Sequence, residues 1–180
     1  MNVDLRSEPN ILRDKGIIAF IIYIYLNKHW SHILITQERI PMLAIPSMND
    51  THLEETLIIN KLDVAVSNNE LEAITEILKE LLAHTSMHYF DEENMMKESL
   101  FPAYKTHKEE HDRHLGELQS VITYFEKHQD PRAIYAYIEG NLTPWILHHA
   151  DTMDRMLALF LEEGATTACS ATKGSTTGNC

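Results

Sequence analysis

Residues Met87 to His111 read MHYFDEENMMKESLFPAYKTHKEEH. Two pairs of metal-capable side chains flank a proline here: His88 with Glu92 before Pro102, and His107 with His111 after it. Each pair is four residues apart, a spacing that stacks two side chains on one helical face, one turn above the other. Both pairs can therefore grip an ion. Working outward, His52 lies on an earlier apolar segment, and His149 with Asp154 on the last one. The expectation is an all-α fold, an up-down antiparallel four-helix bundle with an N-terminal extension, closed around two ions.

The chain of 180 residues is long enough to bury one core and short enough to need no second. With 27 Asp and Glu against 15 Lys and Arg, it lacks the basic surface that nucleic acid or anionic lipid requires of a main partner. The two cysteines, Cys169 and Cys180, lie in a polar C-terminal stretch and form neither a disulfide framework nor a zinc pattern. Eleven histidines stand out, and spacing must decide which of them matter.

Residues 1–39 are expected to be an extension. Its apolar run, Gly16 to Leu26, stops at Asn27 after eleven residues, well short of the roughly 20 that span a bilayer. No small-residue cleavage site follows it. A docked or membrane-surface helix, an extension without a role, and a true anchor all remain open for this run. Ile40 to Pro46, held between two prolines, suits an extended arm. Ser47, Asn49 and Asp50 offer caps for a first helix running to about Val66, with His52, Ile59, Leu62 and Val66 on one face. A second helix is predicted from Glu70 to about Glu98, with His88, Glu92 and Met95 on its apolar stripe. Pro102 marks a third, whose inward face includes His107, His111, Leu115 and Leu118, and Asp130-Pro131 marks a fourth. Gly140 and Pro144 should break or bend that fourth helix. The bundle is bounded at residues 40–162, and residues 163–180, rich in Thr, Ser, Ala and Gly, are expected to be a disordered tail.

Seven candidate ligands are too many for one zinc, which takes about four. Two octahedral ions offer roughly twelve positions, and an N/O set of this kind suits iron or manganese. Five positions go to His52, His88, His107, His111 and His149, four to bridging carboxylates from Glu92 and Asp154, and two to a bridging oxide or hydroxide. One position stays open, where a redox-active iron pair could pass electrons to dioxygen and hold it. His149 and Asp154, five residues apart, should sit about 140° apart on a regular helix. On that expectation they cannot chelate one ion, and Asp154 bridges.

These pieces together resemble the hemerythrin family, specifically the bacterial single-domain hemerythrins. The matching residues are His52 in MNDTH, HYFDEENMM for the family's His-Phe-x-x-Glu-Glu, Phe101-Pro102 before His107, KTHKEEH for His-x-x-x-His, and WILHHADTMD for Trp-x-x-x-His-x-x-x-x-Asp. The resemblance covers about residues 40–162. It implies a di-iron centre, oxo- or hydroxo-bridged, that binds dioxygen reversibly for carriage, storage, delivery or sensing, with no enzymatic role. Trp145, Ile146 and Ala150 are the candidates to line the gas pocket. Ala150 stands where many members carry a bulky aliphatic, which should widen access and speed autoxidation.

The remaining histidines have plainer readings: His84 on the bundle flank, His114 exposed beside Leu115, His148 off the inward face, and His29, His32 and His128 on the surface. Glu93 is expected to be a solvated carboxylate or one that supports an imidazole. The competing functions are a di-iron redox or oxygen sensor and a weak oxidase or peroxidase at the same site; the sequence offers no further acid or base for the enzyme. A metal-free interaction module would leave the inward imidazoles and carboxylates unsatisfied and costly. The expected location is the cytoplasm, with membrane association only through residues 16–26 and no protein partner identified.

Overall fold

A computed structural model describes residues 35–173, with side chains through residue 165. The apolar run 16–26 lies outside the described residues, as do His29 and His32. Helix α1 spans Pro46–Ser67, α2 Leu71–Glu98 and α3 Tyr104–His128. The fourth rod consists of α4 (Pro131–Tyr137), α5 (Thr143–His149) and α6 (Arg155–Lys173), joined by two π-helical turns, Ile138–Leu142 and Ala150–Asp154. Helix α1 packs on α2 and α4, and α3 on α2 and α4, which closes the four-helix ring expected of the sequence.

The ends of these helices follow from local chemistry. Pro46 occupies the first turn of α1 and needs no N–H there. No side chain caps that helix, contrary to the roles expected of Ser47, Asn49 and Asp50. Asn49 instead reaches back to the Leu43 backbone, accepting from its N–H at 2.8 Å and donating to its carbonyl at 3.0 Å, and so pins the incoming arm. Asp130 does cap α4, accepting from the Arg132 N–H at 3.0 Å. Helices α1 and α2 end in paired reverse hydrogen bonds around a left-handed residue, Asn69 (φ 58°) and Leu100 (φ 57°). Asn tolerates that conformation, while for Leu it costs about 1 kcal/mol or more.

At Gly140 and Pro144, where a break or bend is expected, the fourth rod changes pitch without ending. Proline lacks the N–H that a regular helix would use, and its ring crowds the carbonyl four residues back. The chain absorbs this by widening: the Thr143 N–H reaches the Ile138 carbonyl, five residues back, and the rod continues.

At the start of the described residues, Ile35 joins the core, and its backbone N–H and carbonyl pair with the Asn60 side chain at 2.8 and 3.0 Å. At the other end, helix α6 continues to Lys173 through much of the stretch expected to be a tail. Extending an existing helix fixes one residue per hydrogen bond, so poor helix formers can follow where a packed segment has already nucleated the turn.

The apolar core is split in two. One cluster joins Ile59, Leu62, Leu78, Leu81, Leu118 and Phe125 with residues of the fourth rod up to Ile146. The other joins Leu43, Met48, Met96, Phe101, Leu157 and Ala158. On every rod the candidate ligands fall between the members of the two clusters, so the site is a polar waist between apolar ends. Each fully buried Leu or Ile contributes about 1.5–3 kcal/mol relative to exposure, which offsets the desolvation of the waist.

Candidate metal centre

All seven side chains singled out from the sequence are buried at this waist. Helix α1 supplies His52, α2 supplies His88 and Glu92, α3 supplies His107 and His111, and the fourth rod supplies His149 and Asp154. Nε2 of His149 lies 3.0 Å from His107 Nε2 and 3.2 Å from His111 Nε2. Three ring nitrogens therefore converge on one point.

The two carboxylates face both ways. Asp154 turns Oδ1 toward His107 and His149, at 3.0 and 3.1 Å, and Oδ2 toward His52 at 3.1 Å. Glu92 turns Oε2 toward His111 and His107, at 3.3 and 3.7 Å, and Oε1 toward His88 at 3.3 Å. The arrangement has a three-imidazole side and a two-imidazole side, with each acid offering one oxygen to each.

The spacing argument for Asp154 needs correction. The π turn at Ala150–Asp154 accommodates one extra residue, so the side chain five positions on stands where a regular helix would put the fourth. His149 and Asp154 thus lie on one face 3.1 Å apart, not on opposed faces. The two-way reach of Asp154 comes from its two oxygens.

The acids and imidazoles of the cluster shift one another. Burial alone would raise both carboxyls, but the imidazoles outweigh it: His107, His149 and His52 hold Asp154 well below the usual range, and His88 with His111 lowers Glu92. Burial would likewise lower His88, yet Glu92 and Glu55 carry it well above 6.5, whereas His111 stays below its ordinary value because burial dominates there. Both oxygens of Glu92 and Asp154 and the inward-facing Nε2 of His52 and His88 nonetheless lack a properly oriented hydrogen-bond partner. Each such buried group costs about 1–3 kcal/mol if nothing satisfies it. The donor set fits a pair of metal ions: five imidazoles, two bridging acids and lone pairs aimed inward.

Sequence reasoning missed several neighbours. Glu55 is 2 % exposed; the Thr85 hydroxyl donates to its Oε1 at 2.6 Å, while its Oε2 faces His88 Nδ1 at 3.5 Å. Burial raises its carboxyl, but His88 and Thr85 outweigh that and bring it down to about 2. The signal was its position three residues after His52, on the same helical stripe. His114, expected on the surface, is 1 % exposed. It lies seven residues after His107, hence on the inward face, with Nδ1 2.6 Å from the Tyr89 hydroxyl. Tyr89 lies flat on His111 (centroids 3.8 Å, planes 1° apart), and Trp145 stacks on both His114 and His149. Ile146 and Ala150 are buried beside His149 in sequence, Ile146 within the larger apolar cluster. His84 sits half-buried on the flank against the Thr51 carbonyl, and Glu93 comes within 4.0 Å of His111 Nδ1 while pairing with Lys97 and Lys108.

Fold and site together define a histidine-rich dinuclear metal protein built in a four-helix bundle. The chain belongs to the hemerythrin family: residues 43–161 match the hemerythrin HHE cation binding domain. It is similar to the bacteriohemerythrin of Aquifex aeolicus, 26% identical over 125 residues that cover 69% of this chain and 95% of that protein. It is also similar to the bacteriohemerythrin of Pseudomonas aeruginosa strain LESB58, at 25% over 106 residues (59% and 67% of the two chains). The myohemerythrin of Sipunculus nudus is 41% identical over 77 residues, 43% of this chain and 57% of that one. Among the described residues no helix is long and apolar enough to cross a membrane.

Proposed function

We propose that this protein binds dioxygen reversibly at a non-haem di-iron centre. The observation that carries this is the split of five imidazoles into three and two around carboxylates that each turn one oxygen to either side. His107, His111 and His149 would hold one iron and His52 and His88 the other, with Glu92 and Asp154 each offering an oxygen to either side. When bound, the iron pair supplies the reversible electron donation that dioxygen binding needs. The two-histidine side offers one protein ligand fewer, so it is there that dioxygen would have room to bind.

The residues around the ions exclude water and fix the rings. Tyr89 and Trp145 cover the faces of His111 and His149. Glu55 faces the outer nitrogen of His88, away from Glu92, so it acts on the imidazole and not as an acid or base toward the gas. This supports binding, for carriage, storage, delivery or sensing, over an oxidase or peroxidase at the same site.

The deciding measurement is iron content with optical spectra under nitrogen, then air, then nitrogen again. Two irons per chain and a spectrum that reverses support the reading; irreversible oxidation with turnover of a substrate supports the enzyme. His107→Ala should lose iron and bundle stability together, because metal and fold are linked, and a variant that keeps both irons refutes the ligand assignment.

A further inference from the structure

A cleft of about 170 Å³ opens between the first turns of α1 and the last turns of α2. Ser47 and Met48 line it from one helix, Asp91 and Met95 from the other. His88 and Glu92 also belong to its wall, so it reaches the side of the centre that carries two imidazoles. Three further clefts among the described residues, against Tyr124 and Tyr137, Phe101 and Phe160, and Gly116, touch none of the seven converging residues. On the three-imidazole side, Tyr89 and Trp145 lie stacked over His111 and His149. The open side by ligand count and the open side by shape are thus the same side.

We propose that this cleft is the route by which dioxygen and other small ligands reach the centre, with Met48 and Met95 as its gate and Asp91 as a filter against anions. The proposal rests on the di-iron reading above. Met48 is buried and Met95 half-buried in the smaller apolar cluster. Their unbranched thioether chains move through several rotamers at low cost, which suits a gate for an apolar gas. Asp91 is exposed on the same wall. Its charge opposes an incoming anion and leaves a neutral diatomic unaffected, an effect that salt screens within about 10 Å at 0.1 M.

The test is stopped-flow association of dioxygen and of azide with the iron-loaded full chain. Met95→Trp should slow both at least tenfold, and Met95→Ala should speed both. Asp91→Asn should speed azide several-fold at low salt, with dioxygen unchanged and the difference lost at high salt. Xenon-pressurised crystals supply a readout independent of iron: xenon should occupy the cleft beside His88 in the wild type and in Met95→Ala, and be excluded by Met95→Trp. Should Met95→Trp fail to fold, Met95→Ala decides. Rates unmoved by Met95→Ala in iron-replete protein, or a cleft empty of xenon, overturn the proposal. A wild-type protein without iron refutes the di-iron reading instead, and xenon still reports on the cleft.

Discussion

Thr85 donates a 2.6 Å hydrogen bond to Glu55, and the second Glu55 oxygen faces His88 Nδ1 at 3.5 Å. A buried acid behind an imidazole fixes the ring's tautomer and increases its basicity, and removing such a partner costs metal affinity about 10–100-fold. Glu55→Leu is therefore expected to weaken iron binding by that factor in chelator competition, with Glu55→Gln intermediate. Unchanged affinity in Glu55→Leu would reduce the acid to a packing element.

His114 makes stability depend on pH. Burial pushes its imidazole down to about 4, against about 6.5 in the unfolded chain. Between these values the unfolded state binds the extra proton, so the stability contribution is complete above pH 6.5 and lost as pH falls toward 4. The loss reaches about 3 kcal/mol at most. Denaturant titrations at pH 7, 5.5 and 4.5 should show a steeper loss in the wild type than in His114→Leu, and parallel curves would contradict the assignment.

The wide turn at Ala150–Asp154 gives a third expectation. Deleting the exposed Thr152 should convert it to a regular helix and leave Asp154 stacked on His149, now four positions on. Such a variant should keep both irons and unfold at no lower temperature. Loss of iron would mean that the wide turn itself, and not the stacked pair, positions the acid.

Ala150 is buried directly after His149. If its small side chain leaves room for solvent near the centre, Ala150→Ile should slow autoxidation several-fold, at about 1–3 kcal/mol of overpacking. A rate unchanged in a folded, iron-replete variant would remove Ala150 from the pocket.

The bundle was legible because its punctuation is explicit. Pro102 and Pro131 mark the approach to the third and fourth rods, Pro46 closes the arm that leads into the first, and the ligand pairs at four-residue spacing coincide with the apolar stripes. His88, Glu92, His107 and His111 could be read on that basis; His52 followed from its place on an apolar helical face, and His149 with Asp154 from the Trp-x-x-x-His-x-x-x-x-Asp pattern of the last segment. Glu55 and His114 were hidden because an acid or a histidine on a helix reads as a surface residue until its stripe is followed to the partner that satisfies it. The π turn at Ala150–Asp154 was hidden for another reason: a five-residue ligand spacing is its trace, and that spacing reads equally as a divergence of faces, just as Pro144 beside the turn at Ile138–Leu142 reads as a break or bend. The continuation of α6 to Lys173 depends on cooperative growth from the packed segment before it, which composition alone does not reveal.

The unequal division of the apolar packing has a mechanical consequence. Among the described residues, the end that holds Phe125 and Ile59 has the larger apolar cluster and the end that holds Met48 and Phe101 the smaller, so thermal breathing is expected to concentrate at the lighter end, where the methionine-lined cleft lies. A single scaffold can then keep the heavier extremity stiff, steadying the waist beside it, while the other flexes often enough to let a gas molecule through.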